Sequence, residues 1–437
     1  MYCNFLIIND FYVIINSGDS MYEFKVDIDK KEYNKFISNY SMAPITQDYR
    51  WANVKNDWDN TLCALYKDKK IIGCGLLLIK TFPMNLKMIY CPKGFLTDYN
   101  NEDYIKEFTK GLKEYAKKIK AFVVKIDPLI AVSEEYYDTY IKKDTKECPK
   151  NYSIDSELKI NNFKSNGWIH GGYKKNVGAY IQPRFNMAIS LIDKDNKKLD
   201  EKELLSHFKR NAKRYHGEFQ TKRGVSFICS HDNTYIDDFY RAIKSTEDRQ
   251  GISLRSKEYF ERIMDSFKED ACMYLAKVNV SKFVEFLNHE IENEKDEALV
   301  NKYKEQLEDA KVAKEKYGNE IIIAVTLGII PPNKKGIKKV EYLYAGTFEE
   351  VFPYLNTNAS VHINSFIDML NNGYDYCDLE GVDGTLDDHL TKTKAKYNPV
   401  LLEFVGEFDL PINKFWYFIF SKFSVQLKKI YRKIKGR

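Results

Sequence analysis

The stretch NEDYIKEFTKGLKEYAKKI, residues 101–119, runs into AFVVKI, residues 121–126, and then into Asp127-Pro128. Tyr104, Ile105, Phe108, Leu112, Tyr115 and Ala116 recur at the three- and four-residue spacing of one helix face, so the first segment reads as an amphipathic helix. The apolar run after it is too short for a helix and reads as a buried strand that the Asp-Pro pair ends. A helix laid along a buried strand is the unit of a layered α/β fold.

Working upstream, residues 23–28 (EFKVDI) read as a strand, Lys31 to Ser38 as a helix, and Thr61–Tyr66 and Lys70–Lys80 as two strands joined by a tight turn at Asp68-Lys69. Downstream the same kind of pattern recurs. Strands from Tyr180 to Leu191, a basic helix from Glu201 to Tyr215, a strand at Val225–Cys229, helices at Thr234–Ser245 and Lys257–Phe267, and strands at Met273–Val278 and Ile321–Ile330 make a second α/β half. A chain of 437 residues, 44% apolar, is long enough for two cores, since single cores stop growing near about 250–300 residues. The expected division is a first domain over 21–165, with 395–437 packing back on it, and a second over 166–394. Within the second, residues 282–317 are dense in Glu and Lys, with apolar residues spaced by about three, four or seven. They read as an inserted antiparallel helical hairpin, a coiled-coil arm.

Bulk charge is no argument for nucleic-acid binding, because Lys+Arg exceed Asp+Glu by only 68 to 63. The excess is concentrated at the end: Lys422, Lys428, Lys429, Arg432, Lys433, Lys435 and Arg437 lie within 421–437 with no acidic residue among them. Phe415, Trp416, Tyr417, Phe418, Phe420 and Phe423 lead into that tail, and together they offer a surface for anionic lipid or, equally, a last helix packed on the first domain. No uncharged apolar run reaches membrane-spanning length. Residues 1–20 are apolar but lack the basic start and cleavage site of a signal peptide. Gly18-Asp19 can be encoded as a ribosome-binding site, so translation starting at Met21 is an expectation that an intact-mass spectrum tests. The eight cysteines are widely scattered and read as reduced cytosolic thiols. With no C-x-x-C and no H-E-x-x-H, neither a metal nor another cofactor is expected.

Five constellations carry chemistry: Thr46–Lys55; Tyr90–Asp98, where Pro92 and Gly94 force a loop holding Lys93 and Asp98; Phe163–Gly172 leading to Gln182-Pro-Arg184; the cationic run Lys209, Arg210, Lys213 and Arg214; and Asp378–Gly384 followed by Leu390–Pro399 and Gly406–Asn413. The cationic run suits phosphates, of a sugar nucleotide, a lipid diphosphate or an RNA backbone. Each also has a plain reading, Lys55 as a solvated helix residue and Asp98 as a helix cap.

Taken in order, Gln47…Trp51…Val54-Lys55, Tyr90-x-Pro-Lys-Gly94, Ile126-Asp-Pro128, Phe163-x-x-x-Gly-Trp168, Gln182-Pro-Arg184, Thr246-x-x-Arg249 and Gly406-Glu-Phe-Asp-Leu-Pro-Ile-Asn413 resemble the FemABX peptidyltransferases over roughly Met21 to Trp416. The resemblance implies two GCN5-related acetyltransferase-like domains with a helical arm that engages charged tRNA. It also implies transfer of Gly, Ala or Ser from aminoacyl-tRNA to the third residue of a peptidoglycan stem peptide, at the cytoplasmic face of the membrane. Motif by motif, Lys55, Lys93, Gly94, Arg210 and Arg214 would contact the acceptor and its phosphates. Asp98 lies where a carboxylate base is placed, and Lys394 is the lysine of a Phe-Lys-x-x-Phe stretch. This chain has Thr393 where the family has the first aromatic, so Lys392, Lys396 and Tyr397 stand beside Lys394 as binding residues.

The chemistry makes its own demand: an amine with pKa near ~10 must lose a proton before it attacks the ester, while negative charge develops on oxygen. Asp98 as base and Lys394 as oxyanion stabiliser meet it, with glycine the preferred donor and lipid II the preferred acceptor. The alternatives are the same reaction on the soluble UDP-MurNAc-pentapeptide, a non-catalytic binding or resistance protein of the same fold, and a small-molecule N-acetyltransferase. The last lacks its pyrophosphate loop, because Ile71–Gly75 lies inside a strand.

Overall fold

The structure, a computed structural model, describes residues 12–17, 20–41, 43–142, 154–172, 182–333 and 336–422. Its strands are β1 (Tyr12–Ser17), β2 (Ser20–Val26), β3 (Asp59–Lys67), β4 (Lys70–Phe82), β5 (Leu86–Cys91), β6 (Leu96–Thr97), β7 (Ala121–Ile126), β8 (Ala131–Tyr136), β9 (Ile169–His170), β10 (Phe185–Ser190), β11 (Val225–Ser230), β12 (Ala271–Asn279), β13 (Glu320–Ile329), β14 (Lys339–Thr347), β15 (Tyr376–Val382), β16 (Val400–Phe404) and β17 (Phe408–Pro411). They form two sheets. One runs β1-β2-β3-β4-β5-β7-β17-β9, with β6 also paired to β4; the other runs β11-β12-β13-β14-β15-β10-β16-β8.

The two sheets share a plan. In the first, antiparallel β3, β4 and β5 are followed by a helix, Glu102–Lys118, and by β7 parallel to β5. In the second, antiparallel β12, β13 and β14 are followed by a helix, Thr357–Asn371, and by β15 parallel to β14. The expected turn between β3 and β4 is present, with Asp68 and Lys69 both left-handed at φ 49° and 64°, the conformation that matches the twist of a two-residue hairpin. Helix Glu102–Lys118 starts where Asn101 accepts the Tyr104 N–H. Its central Gly111 costs about 1 kcal/mol of helix propensity, but a Cβ there would overlap the Phe24 ring of β2, so the glycine lets helix and sheet meet.

The chain crosses the expected domain boundaries near 165 and 394. Asp127-Pro128 carries it out of the first sheet, and β8 then joins the second; β9 returns to the first. Of the C-terminal segment expected to pack back, β16 stays in the second sheet, and the turn at Gly406, φ 87°, delivers β17 and the residues after it to the first. There Lys125 of β7 pairs with Asp409 of β17 and, at 3.4 Å, with Glu407. One core spans both halves, with Trp51 of the first packed 6.4 Å from the Phe267 ring of the second.

Three further differences have physical causes. The single basic helix expected over Glu201–Tyr215 is two short helices, Glu201–His207 and Arg210–Lys213, because Phe208 leaves the helical conformation to bury its ring against Phe366 and Tyr397. The cysteines are not all free: antiparallel pairing brings Cys229 and Cys272 together at a Cα separation of 6.0 Å, and the structure joins them as a disulfide. Cys63, Cys74, Cys91 and Cys377 are free and buried, while Cys3 and Cys148 lie outside the described residues. In the C-terminal segment, Trp416, Tyr417 and Phe420 pack against Met88, Phe122 and Val123, whereas Phe415 and Phe418 remain exposed. Most of the basic tail, from 423 onward, lies outside the described residues, as do residues 1–11, while β1 precedes Met21 and extends the first sheet.

The hairpin is present as helices Val280–Asn293 and Glu297–Tyr317, inserted between β12 and β13. Its base is docked rather than free-standing, through Phe283, Leu287, Ala310 and Ala313. Among the described residues no helix is long and apolar enough to cross a membrane.

Candidate active site at the junction of the two sheets

The parallel pairs of the two sheets end in charged residues that face each other. In the first half, Lys93 follows β5 in a left-handed conformation, φ 58°, and Gly94 after it has φ 77°. Glycine is required there, since a Cβ would stand 2.7 Å from Tyr99 Oη and 2.9 Å from Pro128 Cβ. This loop directs the Lys93 N–H at Asp127 Oδ1, 2.8 Å away, which also accepts from the Tyr90 hydroxyl at 2.9 Å. Lys93 Nζ lies 3.8 Å from Asp127 Oδ2. Burial pushes the Asp127 carboxyl up to about 6, against the pull of the Lys93 ammonium.

In the second half, β15 carries a bulge. Asn186 of β10 pairs with Gly381 and Ala188 with Asp378, so Leu379 and Glu380 together oppose Met187. Glu380 takes the left-handed conformation, φ 63°. The bulge turns three carbonyls toward the helix His389–Lys394, and Lys394 Nζ donates to all of them: Leu379 O at 2.6 Å, Gly381 O at 3.0 Å and Glu380 O at 3.3 Å. An ammonium has three protons. Those of Lys394 are therefore spent on the backbone, and burial lowers its pKa to about 8 although Glu380 and Asp378 pull the other way.

Glu380 is half-buried, and no hydrogen bond to its carboxyl occurs among the described residues. Burial first, and the Asp378 carboxylate second, push it well above the usual carboxylate range, while Lys93 from the other sheet and Lys339 oppose the shift. Lys339 itself is buried and paired with Glu341 at 2.7 Å. Three lysines and four carboxyls thus meet at the junction.

A second cationic feature lies where the halves pack on each other. Lys55 Nζ stands over the rings of Trp51 and Tyr259, at 5.3 Å and 5.4 Å, and Arg255 covers Tyr259 at 5.2 Å. Burial and the Arg255 charge lower Lys55 to about 8. Asp57, the nearby carboxylate, is engaged by Lys80 at 2.8 Å, and neither Lys55 nor Arg255 makes an ion pair among the described residues. Two like charges held together, with the nearest carboxylate already paired to Lys80, can hold an anion.

The remaining expected residues fall elsewhere. Arg210, at the start of the short helix Arg210–Lys213, and Arg214, its C-cap, are exposed beside the segment 395–397: the Lys209 N–H donates to Lys396 O at 2.9 Å. Lys392 pairs with Asp387 at 2.9 Å, and Tyr397 is buried in the core of the second half. Asp98 is exposed and accepts the Asn100 N–H at 3.0 Å, a turn ahead of helix Glu102–Lys118, and makes no hydrogen bond or ion pair with Lys394, Lys93 or Glu380. Arg184 is buried against Glu403, and Trp168 donates to Thr109 at 2.8 Å, so both motifs serve packing.

The sequence gives Asp127, Glu380 and Arg255 no role at the candidate site. Asp127 was read as a strand terminator, yet it stands at the end of a strand beside the loop of Lys93. Glu380 lay in a quoted constellation without a role, because a bulge leaves no mark in residue spacing.

The FemAB family model matches residues 28–424. Lipid II:glycine glycyltransferases of Staphylococcus haemolyticus (strain JCSC1435) and Staphylococcus aureus (strain bovine RF122 / ET3-1) are each 27% identical, over 94% of this chain and 100% of the relative. A crystal structure of FemX superposes with a TM-score of 0.70 at 23% identity, covering 90% of this chain and 98% of that one. The fold is accordingly that of FemX. With the match covering nearly the whole chain, the protein belongs to the FemAB family, whose members are aminoacyl- and peptidyltransferases.

Proposed function

We propose that this enzyme transfers glycine from aminoacyl-tRNA to the amine of the third stem-peptide residue of lipid II, extending a peptidoglycan bridge. The names of the 27%-identical relatives support the donor residue and the acceptor. The observation that carries the chemistry is Glu380, a half-buried carboxyl with a raised pKa and no hydrogen-bond partner of its own, aimed at the junction of the two sheets.

The acceptor amine arrives protonated. Glu380, as its carboxylate, takes that proton; the freed nitrogen attacks the ester carbonyl, the C–N bond forms, the bond to the ribose oxygen breaks, the leaving oxygen takes the nitrogen's second proton as tRNA departs, and Glu380 passes the first to solvent. A base whose pKa lies near the working pH is the most effective for this step. Lys394 holds the bulge that presents Glu380, and its charge next to the reacting centre favours the oxyanion. Lys55 and Arg255 bind the acceptor's diphosphate. The basic residues Arg210, Arg214 and Lys396 line the approach for tRNA phosphates. Phe415, Phe418 and the basic tail rest on the membrane surface that carries lipid II.

The test is transfer of radiolabelled Gly, Ala and Ser from charged tRNA to lipid II and to the soluble UDP-linked pentapeptide, each with lysine or diaminopimelate in the stem. Labelled lipid II with glycine is the expected product. Transfer to the soluble acceptor alone would overturn the lipid assignment, and no transfer by folded protein would overturn the reaction.

A further inference from the structure

At the edge of the second sheet, away from the junction, β11 runs antiparallel to β12 with Cys229 opposite Tyr274 and Ser230 opposite Met273. Continued by one residue, that register sets His231 opposite Cys272. Side chains alternate along a strand, so Cys229, His231 and Cys272 share one face. Their donor atoms all lie within 4.8 Å of one another.

The two sulfurs are joined in the structure, yet the imidazole beside them is also positioned. His231 Nδ1 lies 2.8 Å from the Ala271 carbonyl, which makes that nitrogen the N–H donor and leaves Nε2 with its lone pair 3.6 Å from Cys229 Sγ. Anchoring one ring nitrogen on a carbonyl is how metal-binding histidines are oriented, and two thiolates with one imidazole suit zinc. Cys272 is buried, whereas Cys229 and His231 are exposed, so a fourth coordination position faces solvent.

We propose that, once the disulfide is opened by a dithiol reductant, this face binds one zinc-class cation through Cys229 Sγ, His231 Nε2 and Cys272 Sγ, with water as fourth ligand. The reductant supplies two electrons and two protons and becomes a disulfide itself; the cation then displaces both thiol protons to solvent. The clip braces the start of β12, where Asp270 receives Arg50 Nη1 of the first half at 2.6 Å.

Cobalt(II) is the probe, added to the full chain after reduction with dithiothreitol and anaerobic removal of the reductant. One equivalent should bind with a near-ultraviolet thiolate-to-cobalt absorption that one equivalent of zinc(II) abolishes. Cys229→Ser should lose the band, and His231→Ala should weaken cobalt affinity at least about tenfold while leaving circular dichroism and melting of the metal-free chain unchanged. No band in reduced, folded protein, or a band that both variants keep, would overturn the site and leave the pair a plain disulfide.

Discussion

In each half, a charged residue stands just past the point where the parallel strand pair stops: Asp127 after β7 in the first, Glu380 beyond the last paired residue of β15 in the second. Asp127 is held from within its own half through one oxygen, Oδ1, by the Lys93 N–H and the Tyr90 hydroxyl, while Oδ2 is buried with only the Lys93 ammonium nearby, at 3.8 Å. Glu380 sits on a bulge whose backbone carbonyls, but not whose carboxyl, are satisfied by Lys394. The same topology therefore yields one buried, hydrogen-bonded acid beside a lysine and one half-buried, open acid. The difference shows that the strand-end position is supplied by the fold, while a single bulge sets whether the carboxyl there is available to a substrate.

The largest effect should come from removing the open acid. Glu380→Gln should lower kcat by about 10²–10⁴-fold with KM little changed, the range of a lost general base. Asp127→Asn should instead show mainly in stability, costing about 1–3 kcal/mol in denaturant melts, because it weakens a buried, hydrogen-bonded ion pair. Equal kcat losses for the two would erase the distinction between the halves.

Next in size is the support of the bulge. Lys394→Met removes all three carbonyl bonds, so kcat should fall at least about tenfold, and the fall should grow with any loosening of Glu380. Rescue by Lys394→Arg would be partial, since a planar guanidinium does not reproduce three converging donors. Full activity in Lys394→Met would show that the bulge holds its shape unaided.

The two cationic regions extend the contrast. Lys55 and Arg255 are pressed together on Tyr259, whereas Arg210 and Arg214 are solvated. Lys55→Ala or Arg255→Ala should raise acceptor KM by about ten- to a hundredfold, the loss of a charge-assisted contact of about 1.5–3 kcal/mol. Because Lys55 has its pKa lowered to about 8, anion binding should weaken as pH rises through 8 and Lys55 loses its proton. Lys55→Arg should abolish that alkaline limb in kcat/KM, as arginine stays charged. Arg210→Ala and Arg214→Ala should each cost only about 0.2–1 kcal/mol, fading as salt is raised. Smallest of all, Asp98→Asn should leave kcat within about twofold, since its visible work is one turn hydrogen bond.

Much of the fold was legible. Helical spacing over 101–119, the Asp68-Lys69 turn and the charged hairpin near 282–317 all report local physics, and local physics survives into the structure. The strand exchange was not legible: which sheet β8, β16 and β17 join depends on contacts between residues far apart in sequence, such as Lys125 with Asp409, 284 positions on. The site was readable by residue type but not by partner. Lys93 and Lys394 were picked for loops and motifs, and the structure places both at the junction. Asp98 comes from the family resemblance, and the sequence marks Asp127 only as the end of a strand; the direction of the Lys93 N–H is visible in the structure alone. Arg255 carried no signal of its own, because its partner Lys55 comes from the other half.

The most direct test of the account is the pH dependence of single-turnover glycine transfer by wild type, Glu380→Gln and Asp127→Asn. The wild-type rate should rise with pH through a group titrating well above the ordinary carboxylate range, Asp127→Asn should keep that rise, and Glu380→Gln should be slow and flat. A wild-type rise that persists unchanged in Glu380→Gln would contradict the assignment of the open acid as the proton acceptor.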